Sequence, residues 1–161
     1  MALRDFRIDE DTWSAATPMR RAEWRAAIDD LREATLCHRF TDRYALLTAD
    51  STMMRLDFLD ADGDVRETIA VPIAVLEPHV KEYLAIIRRL DEGAGHRTAS
   101  WIEAVDMAKK VVHDRAGRAL AEAVPDFSDD PEAHRRLFTM LLAVIVDTTQ
   151  LVHARGHMGR E

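Results

Sequence analysis

The chain has 161 residues, of which 47% are hydrophobic and 32% charged, the balance of a folded domain and not of a disordered chain. At that length a single domain spanning 1–161 is the expectation, since two would each bury only a small core. With 29 acidic against 22 basic side chains the net charge is −7, which disfavours nucleic acid as a partner, because a grip on phosphates draws on a basic face.

Local basic clusters do occur, at Arg20, Arg21 and Arg25 and at Arg135 and Arg136, but acids surround both. The longest apolar run, 140–146, falls far short of the ~20 residues of a spanning helix, so no membrane role is expected. Residues 1–7 carry a charge at nearly every other position and lack the apolar centre of a secretory signal. The lone Cys37 excludes an internal disulfide and suits a reducing compartment. Together these features point to the cytoplasm.

In chain order, residues 3–8 place Phe6 and Ile8 on one face of a short strand, and Trp13 follows in a loop. Thr17 and Pro18 then give an N-cap with proline at the first helical position, opening a helix to about Leu36. Its apolar face is Trp24, Ile28, Leu31 and Thr35. Three strand-like runs come next, 43–49, 52–59 and 65–71, joined by Asp50-Ser51 and by the Asp60–Asp64 turn, which makes an antiparallel meander. Three helices complete the chain. One spans about 74–90 and stops at Gly93-Ala94-Gly95. The next spans about 100–124, with Ser100 and Glu103 as a capping box. The last begins at Asp130-Pro131-Glu132 and runs to about His153. The expected fold is α+β: a short N-terminal strand and helix, a three-stranded antiparallel meander and three C-terminal helices, with helix exceeding strand at least two to one. A strand-helix-meander half (1–72), a helical half (73–155) and a tail (156–161) divide it.

The last helix is apolar nearly all round. Leu137, Leu141, Val144, Ile145 and Thr148 mark one face, while Met140, Leu142, Val146 and Thr149 lie around the rest. Such a helix must be covered, by its own chain or by a second one, so a homodimer or a bound protein partner is expected.

The helix over 100–124 carries the most pointed pattern. Glu103, Asp106, Lys110, His113 and Gly117 recur at 3-4-3-4 spacing and therefore line one face. As a cleft, that face offers Asp106 to orient or pair with a cation and His113 as acid, base or ligand. As a solvated surface, it offers only an Asp106–Lys110 ion pair worth ~0.3–0.5 kcal/mol.

The stretch from Ser100, S-W-I-E-A-V-D-M-A-K-K-V-V-H-D-R-A-G, resembles the segment I-E-A-[IV]-D-M-G-R-R-G-x-H-N-E-G of uncharacterised protein family 0262. Arg135-Arg136-Leu137-Phe138-Thr139 is similar to that family's A-R-R-L-F-T, Lys81-Glu82-Tyr83 to its K-[DE]-Y, and Arg43-Tyr44-Ala45-Leu46 loosely to its P-Y-x-L strand. Glu103, Asp106 and His113 fall on letters of the family segment. Three of its glycines are replaced by Ala108, Val111 and Ala116, and its N-E by Asp114 and Arg115. No activity comes with the resemblance. It implies a divergent member whose helix face is partly filled where the family has glycine.

Other candidates are weaker. His153 and His157 are four apart, and His79 and Glu82 three apart, but neither pair has a third ligand, so no metal is expected. The acidic turn departs from an EF-hand, with its glycine at position four and Val71 at position twelve. No phosphate-cradling glycine loop or G-x-S-x-G elbow occurs, and Cys37 beside His38 reads as an inert thiol, so no cofactor is expected. Arg20, Arg21 and Arg25 could hold an anion or be solvated. Trp13 could cover a core edge or anchor a partner. The leading reading is a small acidic cytoplasmic binding or adaptor protein. The alternative is a hydrolase-like enzyme whose pocket gathers Asp106 and His113 with His134 and Arg135. Glu103, Lys110, His134 and Arg135 are the candidate binding residues, and a closed concavity at Asp106 and His113 is what would favour the enzyme.

Overall fold

The computed structural model describes residues 3–92 and 98–147. The glycine stop after the first C-terminal helix, Thr148, Thr149, the His153/His157 pair and the tail lie outside those residues.

The elements are β1 (Asp5–Ile8), α1 (Glu10–Ala15), α2 (Pro18–Arg32), β2 (Tyr44–Ala49), β3 (Met53–Leu59), β4 (Val65–Pro72), α3 (Ile73–Glu92), α4 (Ala99–Ala123) and α5 (Pro131–Ile145). The class is α+β. Of the described residues 62% are helical and 18% strand, beyond the expected two to one.

The meander is present, β2 to β3 to β4 antiparallel, but the sheet has four strands in the order β1-β2-β3-β4. β1 runs parallel to β2 along the edge, with Phe6 beside Ala45 and Ile8 beside Leu47, so the sheet is mixed. A parallel neighbour needs a long crossover, and α1 with α2 supplies it. The buried side chains alternate at period two: Phe6 and Ile8, Ala45 and Leu47, then Met54, Leu56 and Phe58. The opposite face carries Arg55, Arg66 and Thr68 in solvent. Asp57 also belongs to that face but is buried, because Arg55 and the Thr68 hydroxyl donate to its two oxygens at 2.8 and 2.7 Å.

Three element boundaries differ from expectation. The stretch around Trp13 is helix α1, started by Asp9, whose carboxylate accepts from the Thr12 N–H and hydroxyl. Without an apolar stripe, α1 is invisible to periodicity. Helix α2 ends at Arg32, so Trp24, Ile28 and Leu31 are buried while Thr35 is exposed beyond it. In α4 the cap is Thr98, which accepts from the Trp101 N–H, and Ser100 lies inside the first turn.

Helix α5 is capped by Asp130 and stops at Ile145, where Val146 turns extended. It packs between α2 and α4. Leu137, Met140, Leu141, Leu142 and Val144 are all buried inside the chain. Two side chains of α2 hold its end: Trp24 Nε1 donates to the Ala143 carbonyl at 2.9 Å and Arg20 to that of Val144 at 2.8 Å. The described part of the apolar face expected at a contact between copies, from Leu137 to Val144, is therefore covered within the chain.

Helices α3 and α4 form an antiparallel pair reaching past α5. Leu76 and Val80, with Ala116 and Leu120, belong to the main core. Ile86, Leu90, Val105 and Val112 form a second, smaller cluster between the two helices alone.

The β3–β4 turn contains a pH-sensitive element. Asp60 accepts from the backbone N–H groups of Asp62 and Asp64 and pairs with Arg66 at 2.6 Å, while Gly63 takes the left-handed φ of 85° that the turn requires. Arg66 and these N–H groups lower the Asp60 pKa below its ordinary 3.8. A depressed carboxylate contributes stability above its unfolded pKa and loses it as pH falls through the folded value. Asp60→Asn should accordingly be less stable than wild type near neutrality, and the difference should vanish as pH drops well below 3.8, as thermal melts across pH would show.

Candidate functional site

The polar stripe of α4 is divided by the length of its neighbour. At its C-terminal end Gly117 is buried against α5, His113 is half-buried, and Glu103, Asp106 and Lys110 are exposed where α5 no longer reaches. Gly117 marks the close approach. A Cβ there would sit 3.0 Å from Arg135 Cγ and 3.3 Å from its backbone nitrogen.

The exposed part opens on a groove of about 360 Å³ lined by Asp106, Lys109, Lys110, His113 and Arg135. His113 is held in place. Its Nδ1 lies 2.9 Å from the Lys109 carbonyl, so Nδ1 carries the proton, and the ring stacks edgewise against Tyr83 and Phe138 at 5.6 and 5.3 Å. Only Nε2 remains for a ligand. Among the described residues no ion pair joins Asp106 to Lys110, so the surface pair expected from their spacing does not form.

Arg135 forms the far wall. Its Nε lies 3.0 Å from Asp114, an ion pair without a hydrogen bond because the oxygen is off the N–H axis, and a terminal nitrogen reaches Glu132 at 3.0 Å. Beyond Arg135 is a second cleft of about 400 Å³ between α4 and the start of α5, lined by Asp114, Gly117, Arg118, Ser128 and His134 among others. His134 is 2% exposed, with Nε2 3.2 Å from the Val124 carbonyl and its ring edge-on to Phe127 at 5.7 Å.

Of the residues singled out by sequence, Asp106, Lys110, His113 and Arg135 meet at one groove. His134 lies across Arg135 in the other cleft, and Glu103 lines neither. Lys109, Asp114, Arg118 and Ser128 were not singled out. The Lys109-Lys110 doublet was a legible signal. Ser128 had none, since its burial follows from a hydrogen bond donated across the fold to the Thr35 carbonyl. The replaced family glycines point in three directions: Ala116 into the core, Ala108 against the small α3–α4 cluster and Val111 into solvent. They do not compose one docking face.

The other candidates are structural. Arg21 donates to the carbonyls of Trp13 and Ser14, and Arg25 lies 5.0 Å over the Trp13 ring. Trp13 itself packs on the core edge, 6.0 Å from Trp24. Cys37 Sγ lies 4.0 Å from His38 Nδ1 and is half-buried. Among the described residues no three His, Cys, Asp or Glu side chains are grouped to hold a metal. No described helix is long and apolar enough to cross a membrane.

The family model described as "Uncharacterised protein family (UPF0262)" matches residues 1–147. The chain belongs to this family. The match extends the resemblance, seen from Arg43 to Thr139, to β1, α1 and α2. A UPF0262 protein of Erythrobacter litoralis is 30% identical over 144 residues, covering 83% of this chain and 89% of its own. One from Hyphomonas neptunium is 30% identical over 142 residues, covering 85% and 88%. One from Jannaschia sp. is 28% identical over 149 residues, covering 88% and 95%. No solved structure matches the chain.

Three substitutions test the helix crossing and the stripe. Alanine is favoured over glycine in a helix by ~1 kcal/mol, but at Gly117 its Cβ meets the Arg135 stem and backbone. Gly117→Ala should therefore lower stability by about 1 kcal/mol, since overpacking commonly costs 1–3, and a higher melting temperature would contradict the close approach. His113→Ala loses two ring contacts and should cost ~1–2 kcal/mol, whereas Asp106→Ala should stay within ~0.5. Urea unfolding of both variants measures the contrast.

Proposed function

We propose that this UPF0262 member is a single-domain cytoplasmic binding protein that receives an acidic segment of a protein partner in the α4–α5 groove. The observation that carries the reading is the groove's form. Asp106 and His113 open on a surface channel instead of a closed concavity, and an enzyme needs water excluded and groups converging on one atom. His113 is anchored by its own helix and two rings, a posture for positioning a neighbour. No hydroxyl or thiol lines the groove. Lys109, Lys110 and Arg135 give it a cationic wall on a chain of net charge −7, and that contrast favours an acidic segment held in one place over general adhesion to anions. Asp106 then sets orientation by repelling the segment's carboxylates at one end.

Because α5 is covered by its own chain, the partner expected is a different protein and not a second copy. A photo-crosslinker at Lys110, with one at Thr48 on the outer sheet face as control, tests this in cells. A discrete adduct should form at Lys110, be absent at Thr48, and be lost when Lys109→Glu is added. Equal labelling at both positions, or none at Lys110, would refute the reading.

A further inference from the structure

We infer that the second cleft, between α4 and the start of α5, is a binding site for a small carboxylate that also carries N–H or O–H donors. This site is separate from the groove that serves the proposed partner. Its volume of about 400 Å³ lies within the range of small-molecule pockets.

The floor is a buried histidine with one nitrogen committed. A carbonyl can only accept, so the contact from His134 to Val124 makes Nε2 the donor and leaves Nδ1, in the neutral ring, as a lone pair. The ring is 2% exposed, and Nδ1 makes no hydrogen bond to the protein. Nδ1 is not sealed off from the cleft that His134 lines, so it offers an acceptor to a donor brought by a ligand. Ser128, also in the lining, cannot serve: its hydroxyl donates to the Thr35 carbonyl and accepts from the Asp130 N–H.

The rim sets the charge. Arg118 is exposed at the opening and makes no hydrogen bond or ion pair among the described residues. Asp114 is engaged by Arg135, which leaves Asp129 as the unpaired carboxylate of the rim. A bare anion attracted by Arg118 is opposed by Asp129. A molecule pairing a carboxylate with donor groups answers Arg118, Asp129 and His134 together, and Ala121, Gly117 and Pro131 leave room for a short carbon chain.

The test titrates the full-length, isotopically labelled protein with serine and with glycolate, using acetate as the anion without donors. Serine or glycolate should shift the amides of Gly117, Ala121, Ser128 and His134 saturably, and acetate should not. Arg118→Ala removes the charged contact, and Ala121→Leu fills the cleft from its half-exposed wall. Each should weaken binding at least about tenfold, while Lys110→Ala in the neighbouring groove should change nothing. The His134 ring should show the Nε2–H tautomer, with the Nδ1 resonance moving on binding. A ring protonated at Nδ1 in the free protein overturns the proposal. So do shifts that fail to saturate, binding that survives Ala121→Leu, or equal loss in Lys110→Ala.

Discussion

Helix α5 cannot meet water, and the rest of the chain is arranged around that constraint. Leu137, Phe138, Met140 and Leu141 are each fully buried, and they lie on more than one side of the helix. Burying one such side chain contributes roughly 1.5–3 kcal/mol, so a helix with this many cannot rest on a single neighbour. Helix α2 closes one side and α4 another, while the inner face of the sheet shares the same core. The polar contacts follow the same logic. A helix end sunk among apolar neighbours leaves carbonyls unpaired, and Trp24 and Arg20 satisfy those of Ala143 and Val144.

The surface features follow from a mismatch of lengths. With 25 residues α4 spans about 37 Å, and with 15 residues α5 spans about 22 Å at ~1.5 Å per residue. One stripe of α4 is thereby buried at Gly117, half-covered at His113 and bare at Asp106. The overhang has only α3 for company, and its small cluster of Ile86, Leu90, Val105 and Val112 is what keeps it helical. Regions with few buried contacts open at low cost, so this end of the hairpin is the one suited to reshape around a partner.

Much of this architecture could be read from the chain because local signals and global packing agree in it. Thr17-Pro18 and Asp130-Pro131 start helices where their chemistry says, and the period-two run Met54, Leu56, Phe58 lies on the buried face. What was illegible depended on long-range partners. Four residues of β1 carry no mark of which strand they join or in which direction. Thr98 and Ser100 are both able to cap, and nothing local decides between them. The stripe on α4 was legible as a stripe, yet its division into groove and buried crossing was set by where α5 stops. His134, within Ala-His-Arg-Arg, reads as surface. It is buried because the short turn at Pro125–Phe127 folds Phe127 under its ring.

That turn also explains why the second cleft has a firm floor and a loose rim. The Cys37 N–H donates to the Phe127 carbonyl and the Ser128 hydroxyl to that of Thr35, tying the segment before α5 to the chain leaving α2. His134 is fixed from below by Val124 and from the side by Phe127, while Arg118 and Asp129 have no such ties. A preorganised floor lowers the ordering cost of binding, and mobile charges at the rim adapt to the ligand's outer groups. Arg135 links the two sites, since it walls both and its pairing with Asp114 and Glu132 sets the charge each one sees. A ligand that drew Asp114 away from Arg135 would leave that guanidinium freer to face the groove.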